Sequence, residues 1–216
     1  LSTDYSGSFA NLQSKVNATP EGGTLYLGGI NYRNFENSAK AVQINKDITR
    51  TGASQSDQSL RSRISGNSHS RIFTVNGGVT VTFDNVIFEY GYSDEGAAAK
   101  LYSEYAIFRN CTFENNYSSG NGGALYVTSD SPIRMEKCEF RHNEAHSCGG
   151  AVYFEGKYNT SSYGFASDTI FNGNKSGSDG GAVYFSDYAR CDFERVEFLE
   201  NKAGNRGGCM FIGTYG

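Results

Sequence analysis

One spacing recurs down the second half of the chain and decides what it can fold into. Phe113 and Asn116 precede Gly122-Gly123-Ala124-Leu125-Tyr126-Val127. Phe140 and Asn143 precede Gly149-Gly150-Ala151-Val152-Tyr153-Phe154, and Phe171 and Asn174 precede Gly180-Gly181-Ala182-Val183-Tyr184-Phe185. A fourth copy joins Phe198 and Asn201 to Gly207-Gly208-Cys209-Met210-Phe211-Ile212. In all four, Asn stands three residues after Phe and the first Gly six after Asn. A worn fifth copy runs Phe88, Gly91, Ala97-Ala98-Ala99, where we read Gly91 at the Asn position and Ala97-Ala98 at the Gly-Gly position. Phe-to-Phe spacings are 25, 27, 31 and 27. A propeller blade needs ~40–45 residues, so this period points to a stacked solenoid instead.

The columns around each Phe say what each unit contains. Two residues before it stand Val86, Cys111, Cys138, Thr169 and Val196; five before, Phe83, Phe108, Met135, Ala166 and Phe193; seven before, Val81, Ala106, Ile133, Gly164 and Cys191. These are apolar or small, and the columns between are mostly polar, such as Asp84, Arg109, Glu136, Ser167 and Glu194. That alternation means strand, one face in and one out. We expect three short strands per unit, each pairing with the same strand one coil away at ~4.8 Å. The Phe column then becomes an internal stack, and the Asn column a ladder of side-chain amides. The glycine pair supplies a bend where a Cβ would clash or φ must be positive. The longest insertion, Lys157 to Ser162, should loop out.

Residues 1–50 read as an N-terminal cap with the first coils, 51–85 as irregular early coils, and 86–216 as regular coils of one domain. Phe9, Leu12 and Val16 fall at i, i+3, i+7, a short amphipathic helix with Ser8 as N-cap, placed to plug the end of the solenoid. Some eight coils would make a rod of about 40 Å. The chain opens Leu1-Ser2-Thr3 and closes just after an apolar run, so we expect it to be part of something longer and its C-terminal end, uncapped, to be open to self-association.

Composition trims the functional classes. Charged residues make up 19% and the net charge is −4, which argues against a nucleic-acid surface. No run of ~18 apolar residues exists to span a membrane. Glycine at 27 residues of 216, with 15 Phe and 15 Tyr, fits a turn-rich β chain and not disorder.

The Phe-x-x-Asn and Gly-Gly-Ala-[Ile/Leu/Val] spacing resembles the repeat of chlamydial polymorphic outer membrane proteins. Adhesin-like surface proteins of methanogenic archaea and related proteins of some parasitic protists are similar. The stretch from Leu25 through Gly52, Ile64-Ser65-Gly66 and Val79 to Gly91 resembles the opening region of those adhesin-like chains. The resemblance covers nearly the whole sequence. It implies a right-handed parallel β-helix, export to the cell surface and adhesion to glycans or proteins of another cell. It carries over no catalytic residue, because the shared motif is a folding motif. Departures are Gly91 for Asn, Ala97-Ala98 for Gly-Gly and Cys209 for Ala.

Several residues are of types that could carry chemistry. His142 and His146 stand four apart, but the zinc motif they approximate needs a helix, and Asn143 between them is a ladder residue in a turn. The fold also hosts pectate lyases and polygalacturonases, so a polysaccharide lyase or glycoside hydrolase is the alternative reading. Glu139 and Glu197 share a column with Ile170 between them, ~9.6 Å apart, beyond a retaining pair at ~5.5 Å and at the upper end of the inverting range. Asp192, Glu194 and Glu197 form the nearest acidic cluster, and the bland account of these columns is a solvated outer face. Of the five cysteines, Cys111 and Cys138 are column neighbours; buried free thiols suit that geometry better than a disulfide, and Cys148, Cys191 and Cys209 add no Cys-x-x-Cys. Five sequons exist, at Asn17, Asn110, Asn116, Asn159 and Asn174; only Asn159, in the insertion, is an attractive one. Tyr126, Tyr153 and Tyr184 would make an outer stripe if turned out and core if turned in, and we expect core. No cofactor or metal is implied, and the expectation is a non-catalytic surface protein whose functional positions are the ladder residues Phe113, Phe140, Phe171 and Phe198, Asn116, Asn143, Asn174 and Asn201, and the four Gly-Gly pairs.

Overall fold

The computed structural model describes residues 4–36, 38–52, 61–158 and 163–213. Every strand pairing in it is parallel, and strands pair with their counterparts one coil away. Gly7–Ser8 pairs with Tyr32–Arg33, and Thr112–Glu114 pairs with both Val86–Glu89 and Glu139–Arg141. A representative coil runs Tyr105–Arg109, Thr112–Glu114, Tyr117–Asn121 and Leu125–Val127. These strands belong respectively to a seven-stranded sheet, an eight-stranded sheet carrying the Phe column, a five-stranded sheet and a second seven-stranded sheet carrying the Tyr column. We call the second and fourth of these the Phe sheet and the Tyr sheet. The result is a parallel β-solenoid of seven coils, one fewer than the sequence reading. The regular coils have four strands instead of three, because the short turn after each Asn itself pairs from coil to coil.

Register explains one misreading. Ala99 pairs with Leu125, which aligns Gly96 with Gly122 and Ala97 with Gly123. The worn copy therefore keeps its first glycine and is one residue short before it; the slip falls between Ser93 and Glu95. The reason is steric. The first glycine of each pair has positive φ (Gly96 +57°, Gly122 +66°, Gly149 +69°), and a Cβ on Gly96 would stand 2.4 Å from the Ala99 carbonyl oxygen. Such a corner admits only glycine.

Inside, Phe88, Phe113, Phe140, Phe171 and Phe198 form one file, with ring centroids 4.5 to 5.0 Å apart and planes within 8°. A second file, Phe83 and Phe108, meets the first edge to face. That second file stops where Met135 and Ala166 take over its column. In those two coils the volume comes from the opposite wall, where Val127 gives way to the stacked Phe154 and Phe185. Gly164 makes room: a Cβ there would lie 2.9 Å from the Phe154 ring. Close packing is thus kept by trading bulk across the interior.

Asn116, Asn143, Asn174 and Asn201 form the amide ladder. Asn143 Nδ2 donates to the Phe113 carbonyl and to Asn174 Oδ1, both at 2.9 Å. Its Oδ1 accepts from Asn116 Nδ2 at 2.9 Å and from the Asn116 backbone N–H at 3.2 Å. Both side-chain hydrogens and both lone pairs of a fully buried amide are used.

The helix Phe9–Ala18 is capped by Ser8, whose hydroxyl accepts from the Asn11 N–H at 3.1 Å. It buries Phe9, Leu12 and Val16 against the first coils. Its Gln13 also covers a strand edge: Nε2 donates to the Gln43 carbonyl at 3.0 Å, and Oε1 accepts the Gln43 N–H at 2.7 Å. Val42–Ile44 is the first strand of the Tyr sheet, so one side-chain amide stands in for a missing neighbour there. At the other end, Leu199 and Ile212 are 45% and 53% exposed. Of the Lys157 to Ser162 insertion, residues 159–162, including the Asn159 sequon, lie outside the described residues.

Two stability measurements test this packing. Gly96→Ala should lose about 3 kcal/mol or more in urea unfolding, while Ala97→Gly loses no more than about 1 kcal/mol; the reverse order would restore the earlier register. Asn143→Ala removes the partner of the buried Asn116 backbone N–H and one bond each of the Phe113 carbonyl, Asn116 Nδ2 and Asn174 Oδ1, and should cost about 3 kcal/mol or more.

Candidate functional site

The Tyr sheet presents the most distinctive outer face. In Leu125-Tyr126-Val127 the first and third side chains join the core, and Val152 and Phe154, and Val183 and Phe185, do the same. Tyr126, Tyr153 and Tyr184 therefore point outward, against the expectation that they are core, although Tyr126 is itself buried, 6% exposed, with Lys100 and Glu155 against it, and Tyr153 and Tyr184 are half-buried. Together with Phe211 the rings stack in one file at 5.0, 5.1 and 5.5 Å, with planes within 17°. A cation covers each end. Lys100, the column residue one coil earlier, sits 5.1 Å from the Tyr126 ring, and Arg206 lies 4.4 Å from Phe211. Because the rings lie face against face along the rod, what they show to a partner is their rims. Tyr126 Oη donates to Glu155 Oε1 at 3.2 Å. Burial within the stack pushes the phenols up, Tyr153 to about 12, so the file stays uncharged at physiological pH.

The outer face of the Phe sheet holds a cluster that column reading passed over. Glu89 and Glu114 are register partners, 2% and 7% exposed. Arg63 Nη1 bridges them, at 2.5 Å from Glu89 Oε2 and 2.8 Å from Glu114 Oε1. Arg141 Nε donates to Glu114 Oε2 at 2.7 Å, and the Tyr5 hydroxyl donates to Glu89 Oε1. The one-coil separation resembles that of a retaining glycosidase pair, ~5.5 Å. Yet all four carboxylate oxygens are engaged by guanidinium or phenol, which leaves none to attack or protonate a substrate. The arrangement is an ionic clasp that ties Tyr5 to the third coil. Desolvation holds the Glu89 carboxyl above its ordinary range. Glu114 is also desolvated, but Arg141 and Arg63 hold it below. The available signal was the mixed column Glu89, Glu114, Arg141, one residue past each Phe.

The other acidic candidates stay apart. Glu139 and Glu197 flank Ile170 in register, two coils from each other. Asp84, Arg109, Glu136, Ser167 and Glu194 fall in one outward column, within which Arg109 Nε donates to Glu136 Oε2 at 2.8 Å. Asp192 Oδ2 accepts from Tyr163 Oη at 2.5 Å, and Glu194 pairs with Arg195. His142 sits in an exposed left-handed corner with its ring over Gly173. Among the described residues no three His, Cys, Asp or Glu side chains gather as metal ligands. Cys111 and Cys138 are buried thiols, hydrogen-bonded to the Phe83 and Phe108 carbonyls at 3.5 and 3.4 Å. Cys148, Cys191 and Cys209 are also unpaired.

The two carboxyls of the clasp should respond to pH with opposite sign. Glu114, with its folded value depressed, contributes stability above the unfolded carboxylate range that is lost as pH falls through the folded value. Glu89, with its folded value raised, contributes stability at low pH that is lost as pH rises through it. As pH rises from about 2 to about 5 the melting temperature of Glu114→Gln relative to wild type should fall, and as it rises from about 4 to about 8 that of Glu89→Gln should rise. Parallel profiles for the two variants would contradict the assignment.

No helix among the described residues is long and apolar enough to cross a membrane. Searches of curated proteins and of solved structures returned no match. The profile of the right-handed β-helix region matches residues 53–215, which covers the amide ladder, the Phe file and the Tyr file alike. With most of the chain matched and every sheet parallel, the protein belongs to the right-handed β-helix family.

Proposed function

We propose that this chain is a non-catalytic attachment module of a cell-surface protein and that the Tyr sheet is its contact face. The observation that carries the proposal is the outward file of Tyr126, Tyr153, Tyr184 and Phe211, held rigid by stacking. Tyrosine rims offer apolar edges and hydroxyls at little entropic cost, the composition that dominates protein contact hot spots. Because ring faces are used up within the file, a sugar has no face to stack on; the partner that fits is a polypeptide surface. The likeness of the repeat spacing to adhesin-like surface proteins supports a location outside the cell. The scaffold is equally compatible with lyases and hydrolases, but the buried Glu89 and Glu114 pair is tied up by Arg63, Arg141 and Tyr5 and does not favour that second reading.

Purified protein should bind cultured cells saturably, and binding should survive enzymatic removal of cell-surface glycans. Tyr153→Ala with Tyr184→Ala should weaken it about tenfold or more, the loss expected of hot-spot tyrosines. Wild-type binding by the double variant would refute the contact face. Release of reducing or unsaturated ends from acidic polysaccharides would establish the enzymatic reading instead.

A further inference from the structure

A separate pocket opens at the corner of the first coils, lined by Tyr5, Arg33, Ser65, Asn67, Ser68 and Tyr90, with a volume of about 270 Å³. Its size is that of a small-molecule site at the lower end of the usual range, ~300 Å³. Arg33 is the one cation among the lining residues. It is half-buried, and its Nε and Nη2 both donate to Asn67 Oδ1, Nε at 2.9 Å. No carboxylate lies within ion-pair reach of it among the described residues. On the outer face of the Phe sheet Arg63 is neutralised by Glu89 and Glu114 and Arg141 by Glu114 and Glu139, while Arg61 donates to the Asn110 carbonyl and the Thr112 hydroxyl. Arg33 has a neutral amide in that place. Five N–H donors less two leaves Nη1 and one hydrogen of Nη2, a planar fork matched to a carboxylate. The guanidinium is further held beside Tyr5, 5.6 Å from the ring centroid, and Phe35, at 6.0 Å. Ser68 and Tyr90 are exposed at the rim, and Ser65 is buried beneath.

We infer that this pocket binds a small carboxylate, with Arg33 taking the anion end-on and Tyr5 and Tyr90 flanking the rest of the molecule. The geometry fits a single planar oxyanion better than a tetrahedral dianion, since one monocation faces it and its second edge is already occupied by Asn67. Two sources share that chemistry: an acidic sugar and the C-terminus of a peptide. The inference does not depend on the Tyr sheet, which lies on a different face of the coil, and the two fail separately.

The test is titration calorimetry or NMR shift mapping with glucuronate, N-acetylalanine, glucose and inorganic phosphate, each to about 20 mM. Saturable binding by one or both carboxylates, without binding by glucose or phosphate, supports the site; whichever carboxylate binds tenfold tighter names the source. Arg33→Gln should abolish the binding. Asn67→Asp provides the second test should that variant unfold. It keeps Arg33 and the left-handed backbone that Asp tolerates, but places a counter-ion against the guanidinium. It should reduce affinity about tenfold or more. Failure of both carboxylates to bind, equal binding of phosphate, or retention of wild-type affinity by Asn67→Asp each overturns it.

Discussion

The file of buried asparagine amides is the interaction on which the rest of the molecule depends. A buried primary amide has two hydrogens and two lone pairs to satisfy, and leaving any of them unmade costs about 1–3 kcal/mol. One copy of the turn cannot satisfy them. A second copy displaced by one coil satisfies all of them, because the Oδ1 of one asparagine accepts the backbone N–H and Nδ2 of the asparagine before it. The bonding therefore specifies a translation, and every other column inherits it. Phenylalanines that stack at 4.5 to 5.0 Å and tyrosines that stack at 5.0 to 5.5 Å are consequences of that one repeat distance. Where the ladder begins, the Gly91 N–H donates to Asn116 Oδ1 at 2.9 Å and takes the role of the absent amide. In the coils before that, Asn34 Nδ2 donates to Ser70 Oγ at 2.8 Å, a different solution to the same buried corner.

The corners separate two kinds of backbone requirement. Left-handed φ recurs at Asn85, Asn110, Lys137, Asp168 and Arg195, and again at Tyr90, Asn115, His142, Gly173 and Glu200. Most of these residues are not glycine, and the non-glycine ones bear a penalty of about 1–2 kcal/mol, tolerated because the ladders on both sides fix the backbone and some side chains pair along the column, as Arg195 does with Asp168. The corner at Gly96, Gly122, Gly149, Gly180 and Gly207 is different. There a Cβ would strike a carbonyl oxygen at 2.0 to 2.4 Å, a clash that no neighbouring ladder can absorb. The second glycine of the pair has ordinary φ but faces the next coil, where the Gly150 carbonyl oxygen would be 2.0 Å from a Cβ on Gly123. Strain is tolerated along this chain, and collision is not.

Those distinctions set what could be read from sequence. The Phe, Asn and Gly-Gly columns were legible because each combines a fixed spacing with a residue type that only one environment favours. The capping helix was legible from Ser8 and the i, i+3, i+7 apolar pattern. The first glycine of the worn repeat was missed because deletion of one residue beside Ser93 leaves the Phe-to-Ala spacing looking intact. The direction of Tyr126 was open because the bend at Gly122-Gly123 interrupts the alternation that would have fixed it. The column Glu89, Glu114, Arg141 offered a mixed-charge signal, but the clustering around Glu89, Glu114 and Arg33 could not be recognised. Their neighbours are Arg63, Tyr5 and Asn67, and those contacts run diagonally between coils or from the N-terminal segment, where no column carries the register.

A solenoid built by translation also constrains where charge can go. Each position meets its own copy at ~5 Å, where two like charges repel by about 3 kcal/mol at an effective dielectric near 20 and by less than about 1 kcal/mol in water. A buried column can therefore repeat an amide, a phenyl ring or a glycine without limit, but not an ion. The outer columns obey this: Asp84 meets Arg109, Arg109 meets Glu136, and Glu139 is separated from Glu197 by Ile170. Lys175 and Lys202 are adjacent, but both are exposed and Glu144 sits beside the first. Glu89 and Glu114 break the rule in a buried place, and two arginines and a tyrosine are committed to offset it. Chemistry on this scaffold is confined by the same arithmetic to positions that do not repeat, which is why the unneutralised Arg33 lies in the irregular first coils and the repeating face carries uncharged tyrosine.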